Sequence, residues 1–367
     1  MAKKNLEPVL DHPVGELSKE SQEKLALLKA DLLSTRKIGK VERFFGSDNY
    51  RIVRALVTTP TSIAGIVIIF LFILVAIFAP VIMPPVQDNA IDPYRIPNDG
   101  YSPVPQPPMT EWVLNPIPLP FWYKTLVGTD KLVHVFGTTS GQYDILYGVV
   151  WGTRTALLTG VIIELATLSI GVVIGSVSAY YGGRVDNIIM RIVDIFMTLP
   201  FILAALILAA VLMPVIGRSV VPTMIALIVF GWMGYSRLIR GDILSVKERD
   251  YILAARVVGV KDSRILFKHI IPNAIFPTLV IASMDIGSYV LNFAALSFLG
   301  IGAELGYSDW GQMLSFARDF ITALSTYWYI VVYPGLALVF FCLGWNLLGD
   351  AVRDILDPRL RKAQEGK

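Results

Sequence analysis

Three acidic residues stand in or beside long apolar runs of this sequence: Glu164, Asp194 and Asp285. A charge in hydrocarbon costs at least about 2.5 kcal/mol, so each must face a cavity or a partner side chain. For Glu164 and Asp285, a place on a polar path and a structural hydrogen bond are evenly balanced readings. For Asp194, near the end of a run, a structural role at the interface is the stronger one. Nucleotide chemistry finds no support, because the pairs Gly39-Lys40 and Gly366-Lys367 do not follow a glycine at phosphate-loop spacing. Three scattered histidines and one cysteine, Cys342, argue against a metal site, and a single cysteine excludes an internal disulfide. His134 reads as an isolated surface-loop residue, Arg154 as an interfacial anchor, and Met197, Met213 and Met224 as apolar filling. The other informative stretch is 250–273, where Ala254, Ala255 and Gly259 are followed by Asp262, Arg264, Phe267, Lys268, His269 and Pro272.

The elements that must position these residues are membrane spans. Of 367 residues, 54% are hydrophobic and 17% charged, and the apolar residues gather into runs long enough to cross a hydrocarbon core of about 30 Å. A net charge of +3 is too small to imply nucleic acid. Six spans are expected, at 63–83, 155–181, 195–215, 220–239, 277–299 and 328–348. Before them, Leu25, Leu28 and Leu32 recur at helical spacing behind the candidate caps Ser18 and Ser21, which predicts an amphipathic helix on the membrane surface or on a neighbouring subunit. No cleavable signal peptide is expected, so the first run serves as signal and anchor. Residues 84–120 hold 11 of the 22 prolines and predict an extended loop over one membrane face, since helices do not survive that proline density. Six spans put both termini on one side. That side carries 26 Lys/Arg against five on the other, with Arg154 at a boundary, so the termini are expected in the cytoplasm and the proline-rich loop outside. Trp112, Trp122, Tyr123, Trp310 and Trp328 suit an interfacial belt. The expected organisation is an N-terminal segment 1–60, a first span 61–83, an external loop 84–153, a five-helix core 154–349 that includes a cytoplasmic loop 241–274, and a tail 350–367.

Within that cytoplasmic loop the sequence predicts two short helices around a sharp turn. Gly259 is placed to end the first helix in the left-handed conformation. Asp262 or Ser263 can cap the second, and Pro272 is expected to break it before the fifth span. Ala254 and Ala255 let another surface approach closely. Arg264 and Lys268 are exposed candidates, and His269 reads as a packing or capping residue. Such a hairpin, fixed to the ends of spans, could carry a push from a soluble partner into the membrane.

These residues resemble the EAA loop of binding-protein-dependent ABC importer permeases: Glu-Ala-Ala, three residues, Gly, then ten residues before Ile-x-Pro. Ala254, Ala255, Gly259, Ile270 and Pro272 fall at those places, while Leu253 replaces the glutamate. Further segments resemble the oligopeptide/dipeptide family and its C-type permease. They are Gly128-Thr129-Asp130, Asp144 with Trp151-Gly152-Thr153-Arg154, Leu296-Ser297-Phe298-Leu299-Gly300, and Trp310-Gly311 with Met313-Leu314. Near the C-terminus Pro334-Gly335, Asn346-Leu347-Leu348-Gly349-Asp350 and the stretch from Asp354 to Arg359 do the same. The resemblance spans roughly 51–360 and departs between Asp130 and Gly141, where this chain has extra residues and reads Gly141-Gln142-Tyr143-Asp144.

The resemblance implies an all-α, polytopic, six-helix type I ABC importer permease fold in the cytoplasmic membrane, surrounded by lipid. It implies a second homologous permease, two ATP-binding subunits that hold ATP and Mg, and an extracytoplasmic peptide-binding protein, with no cofactor in this chain and no catalysis by it. The coupling residues it implies are Leu253, Ala254, Ala255, Arg256, Gly259, Asp262, Arg264, Phe267, Lys268, His269 and Pro272. Glu164 and Asp285 become candidates for contact with peptide termini in the path. The alternatives are import of nickel or short oligosaccharides by the same machinery, a proton-driven secondary transporter, and, last, a membrane scaffold or sensor. The absence of a His/Met/Cys cluster weighs against the metal. The lack of an internal repeat weighs against the secondary transporter.

Overall fold

Hydrocarbon tolerates only backbone whose polar groups are satisfied internally, and the apolar runs accordingly form helices. The computed structural model describes residues 59–85, 92–114, 117–128 and 131–356. The expected amphipathic helix near Leu25, the pair Thr129-Asp130 and the C-terminal stretch from Asp357 lie outside the described residues. The main helices are α1 Pro60–Ile82, α2 Ile145–Tyr181, α3 Gly183–Met197, α4 Phe201–Ile216 and α5 Val220–Lys247. They continue with α6 Asp250–Val257, α7 Asp262–Phe298, α8 Trp310–Ser315 and α9 Tyr329–Leu356. Helices α1, α2, α5, α7 and α9 are each long and apolar enough to cross a membrane, and α3 with α4 makes a sixth crossing if the bent pair is one span.

That bent pair corrects the sequence reading. One span was expected over 195–215, with a connecting loop over 182–194. Instead α3 and α4 meet at 87°. Pro200 lacks an N–H and disfavours helical backbone at Leu199, so the helix stops there and restarts in a new direction. The residues expected in a loop form α3, whose Arg184, Asn187, Arg191 and Asp194 recur at helical spacing. The fifth span is also longer than expected. Pro272 does not break it: α7 runs through Pro272 and Pro277, and the turn before Pro272, Ile265–Ile270, widens into a π-helix. A widened turn takes up the ring and the missing donor of a proline.

Helix α2 starts ten residues earlier than the apolar run that announced it. Asp144 caps it, its carboxylate accepting from the Tyr147 N–H at 2.7 Å. At 37 residues it is about 55 Å long, so it outreaches the hydrocarbon core. It packs parallel to α5, and Gly175 makes the approach close enough that an added Cβ would lie 2.2 Å from the Ser236 carbonyl oxygen. Small residues at such crossings are how helices associate without a hydrophobic drive. Helix α1 leans on α9, burying Gly65 against Leu347 and Leu348, while Val67, Phe70, Leu71, Ile77 and Phe78 face outward where lipid would lie.

At the end of the bundle opposite α6, the described residues of 92–144 form a cap rather than a plain extended loop. A two-stranded antiparallel ladder pairs β1 Thr110–Glu111 with β2 Val133–His134, and bridges tie Arg95 to Tyr307 and Asn98 to Tyr143. His134, expected on the surface, is wholly buried. Its Nδ1 lies 2.7 Å from Asp144 and its Nε2 3.3 Å from Asp99, and Trp112 stacks on its ring at 4.1 Å. Asp99 also accepts from the N–H groups of Val113 and Leu114. Trp310, expected in an interfacial belt, is likewise buried; its Nε1–H donates to the Val149 carbonyl at 3.1 Å beside Gly152. Trp122 donates to the last carbonyl of α1, at Ile82, at 2.8 Å, while Trp328 remains exposed. Arg154 lies over the rings of Tyr94 and Trp151. Asp309, fully enclosed, caps α8 by accepting from the Gly311 N–H at 3.0 Å, and burial pushes its carboxyl up to about 6.

Candidate functional site

Two sets of residues carry chemistry. The first is the hairpin of α6 and the start of α7. Helix α6 ends at a Schellman motif, with the Gly259 N–H donating to Arg256 O at 2.9 Å and the Val260 N–H to Ala255 O at 3.1 Å. Gly259 has φ +81°, the left-handed value its position in the sequence requires. The expected cap at the next helix shifts by one residue: Lys261 is the N-cap and Asp262 sits in the first turn. The Asp262 carboxylate instead accepts from the Tyr180 hydroxyl at 2.5 Å, at the far end of α2. The Arg256 guanidinium lies 5.4 Å from the centre of the Tyr180 ring. Lys247 at the end of α5 donates to the Ala179 and Tyr180 carbonyls at 3.1 and 2.7 Å, satisfying two of the orphan acceptors at the α2 terminus. The hairpin is thus held to the end of α2, which Lys247 of α5 joins as well.

Its two faces differ. Ile252, Ile265, Leu266 and Ile270 are buried against Ile239 and Ile243 of α5. Leu253, Ala254, Arg256, Val257, Val258, Arg264, Phe267, Lys268 and Pro272 are exposed, with Val257 at 88% and Phe267 at 57%. Ala255 and His269 are half-buried, and the His269 carbonyl accepts from the Asn273 side chain at 2.6 Å. Exposed apolar patches of this kind occur where a protein, a membrane or a ligand is met. The residues singled out from the sequence are therefore one contiguous hairpin, although Ala255 and His269 face partly inward.

The second set lies within the bundle. Sequence pointed to Glu164 on α2 and Asp285 on α7 separately. Tyr235 of α5, which it did not single out, joins them: its hydroxyl is 2.6 Å from Asp285 Oδ2 and 3.1 Å from Glu164 Oε2. Glu164 is buried and its second oxygen, Oε1, has no hydrogen-bond partner. Asp285 borders a cavity of about 300 Å³ between α3, α4, α5 and α7, where Ser288, Tyr289 and Asn292 follow it along one face of α7. Asp194 behaves as the sequence reading preferred, pairing at an exposed site with Arg237 of α5. A parallel pair joins Asp186 to Arg240, with Nε 2.6 Å from Oδ1. Among the described residues no group of His, Cys, Asp and Glu is arranged to hold a metal.

Residues 171–362, which include the hairpin, match the family described as binding-protein-dependent transport system inner membrane component, and the chain belongs to that family. Residues 50–108 match the N-terminal TM domain of oligopeptide transport permease C. The chain is 34% identical to a dipeptide transport system permease protein of Alkalihalophilus pseudofirmus, over 82% of this chain and 86% of that one. It is 32% identical to a probable D,D-dipeptide transport system permease protein of Escherichia coli, over 87% and 94%. To an oligopeptide transport system permease protein of Bacillus subtilis it is 37% identical, over 62% and 73%. Within the family it is a C-type ABC importer permease of the oligopeptide and dipeptide branch.

Proposed function

We propose that this chain forms half of the translocation path of an ATP-driven importer of dipeptides or oligopeptides. A second homologous permease supplies the other half. Two ATP-binding subunits that carry ATP and Mg dock on the 250–273 hairpin, and an extracytoplasmic peptide-binding protein delivers substrate to the cap side. The chain itself hydrolyses nothing. The carrying observation is the hairpin: an exposed apolar face on a support hydrogen-bonded to α2 and packed on α5, so a force on Val257 or Phe267 reaches two helices. The relatives' names supply the substrate class. The lopsided Lys/Arg distribution supports cytoplasmic termini and an outward cap. ATP-driven closure then shifts a population between two packings of the helices, and loaded binding protein biases the same equilibrium from the other side.

Purification of the chain from its native membrane in mild detergent tests this. Co-purifying ATP-binding subunits and a second permease, with ATPase activity raised by loaded peptide-binding protein, are expected. A chain that folds and purifies with no nucleotide-binding partner would overturn the proposal.

A further inference from the structure

The hydroxyl of Tyr235 has one proton, yet it lies within hydrogen-bonding distance of two carboxyl groups, at 2.6 Å from Asp285 and 3.1 Å from Glu164. The shorter contact takes the tyrosine proton. The longer is favourable only if Glu164 brings a proton of its own, since two acceptors facing each other repel. Glu164 Oε1, buried with no partner, leaves a further acceptor unanswered. The set is therefore one donor short of satisfaction, and a ligand that brings several N–H donors and one positive charge would complete it. The adjoining cavity gives such a ligand access to Asp285, and Ser288 and Asn292 continue a polar stripe from it along α7.

We infer that Glu164, Tyr235 and Asp285 form a binding site for the ammonium group of a peptide, entered from the α4–α5–α7 cavity, and that the empty site holds a proton in its place. This rests on the reading of the chain as a peptide path. The exchange balances: one ammonium enters, one proton leaves the Glu164 carboxyl, and the charge of the site is unchanged. The ammonium's three donors meet Glu164, Asp285 and the Tyr235 oxygen. The peptide's backbone then lies towards Ser288 and Asn292.

Dicyclohexylcarbodiimide labels protonated carboxyl groups in apolar surroundings and so reads the empty site directly. The whole transporter in nanodiscs, without binding protein, is treated with the reagent and the adducts are mapped by mass spectrometry. Labelling is expected at Glu164, reduced several-fold by millimolar trialanine and unchanged by propionyl-dialanine, which lacks the ammonium. Glu164→Gln is expected to remove that adduct. No adduct at Glu164 overturns the held proton, and equal protection, or none, by the two peptides overturns the ammonium site. ATP-dependent uptake of trialanine is scored alongside, with the same transporter reconstituted in proteoliposomes and supplied with its binding protein. Uptake without protection refutes this inference alone, whereas no uptake of any peptide refutes the transport reading.

Discussion

Replacing Gly259 with valine isolates what the hairpin turn contributes. Gly259 has φ +81°, and a Cβ added there meets no atom within 4 Å, so steric contact contributes nothing and the cost is that of the backbone alone. A left-handed L-residue costs roughly 1–2 kcal/mol, and a β-branched one lies above that range. If the turn relaxes instead, the two Schellman hydrogen bonds go, at about 1 kcal/mol each. Either route weakens the docked hairpin by roughly ten- to thirtyfold, since about 1.4 kcal/mol is a factor of ten. Helices α2, α5 and α9 are untouched, so membrane abundance is expected to stay at the wild-type level. Peptide uptake and ATPase activity are measured on the same membranes, with Gly259→Asn as the companion because asparagine tolerates the left-handed region. The valine variant loses uptake and the asparagine variant keeps most of it. Wild-type uptake by Gly259→Val at equal abundance would refute the coupling role of the turn.

Three further outcomes follow from the packing. Tyr180→Phe removes the 2.5 Å bond to Asp262, costs about 1–2 kcal/mol, and lowers the number of peptides imported per ATP while leaving the hairpin folded, as a paired uptake and ATPase assay would read. In Gly311→Ala the new Cβ sits 2.2 Å from the Ala294 carbonyl oxygen, and because the three nearest atoms are all Ala294 backbone the melting temperature in detergent falls by the equivalent of about 1–3 kcal/mol. Asp309 is raised by burial to about 6 from 3.8, so its share of stability is complete below pH 3.8 and is lost as pH climbs through 6. That share is at most about 3 kcal/mol at 1.36 kcal/mol per pH unit. Asp309→Asn keeps an oxygen for the Gly311 N–H and flattens the fall in thermal stability between pH 4 and 6, giving a higher melting temperature than wild type above pH 6.

The spans and the hairpin turn were legible because both are local: an unbroken apolar run needs no partner to identify it, and Gly259 is the residue its own backbone requires. What escaped depends on residues distant in sequence. His134 looks isolated until the chain folds Asp99 and Asp144 onto it, 35 and 10 residues away. Tyr235 is one aromatic residue among 15 tyrosines until α2 and α7 bring two carboxyls to its hydroxyl. Helix α3 did leave a signal: Arg184, Asn187, Arg191 and Asp194 lie at spacings that put polar groups along one side, which marks an amphipathic helix rather than a loop. Pro272 and Pro277 misled because proline in a membrane helix can be absorbed by a widened turn, whereas Pro200, next to Thr198 and Leu199, does break its helix.

The central claim is that ATP hydrolysed by partner subunits, and not an ion gradient, drives peptides through this chain. It is tested most directly by reconstituting the co-purified complex in proteoliposomes with its binding protein and a labelled tripeptide, then supplying either ATP or an imposed proton gradient. The account predicts uptake that requires ATP and binding protein together and ignores the gradient. Uptake driven by the proton gradient in the absence of ATP would contradict it.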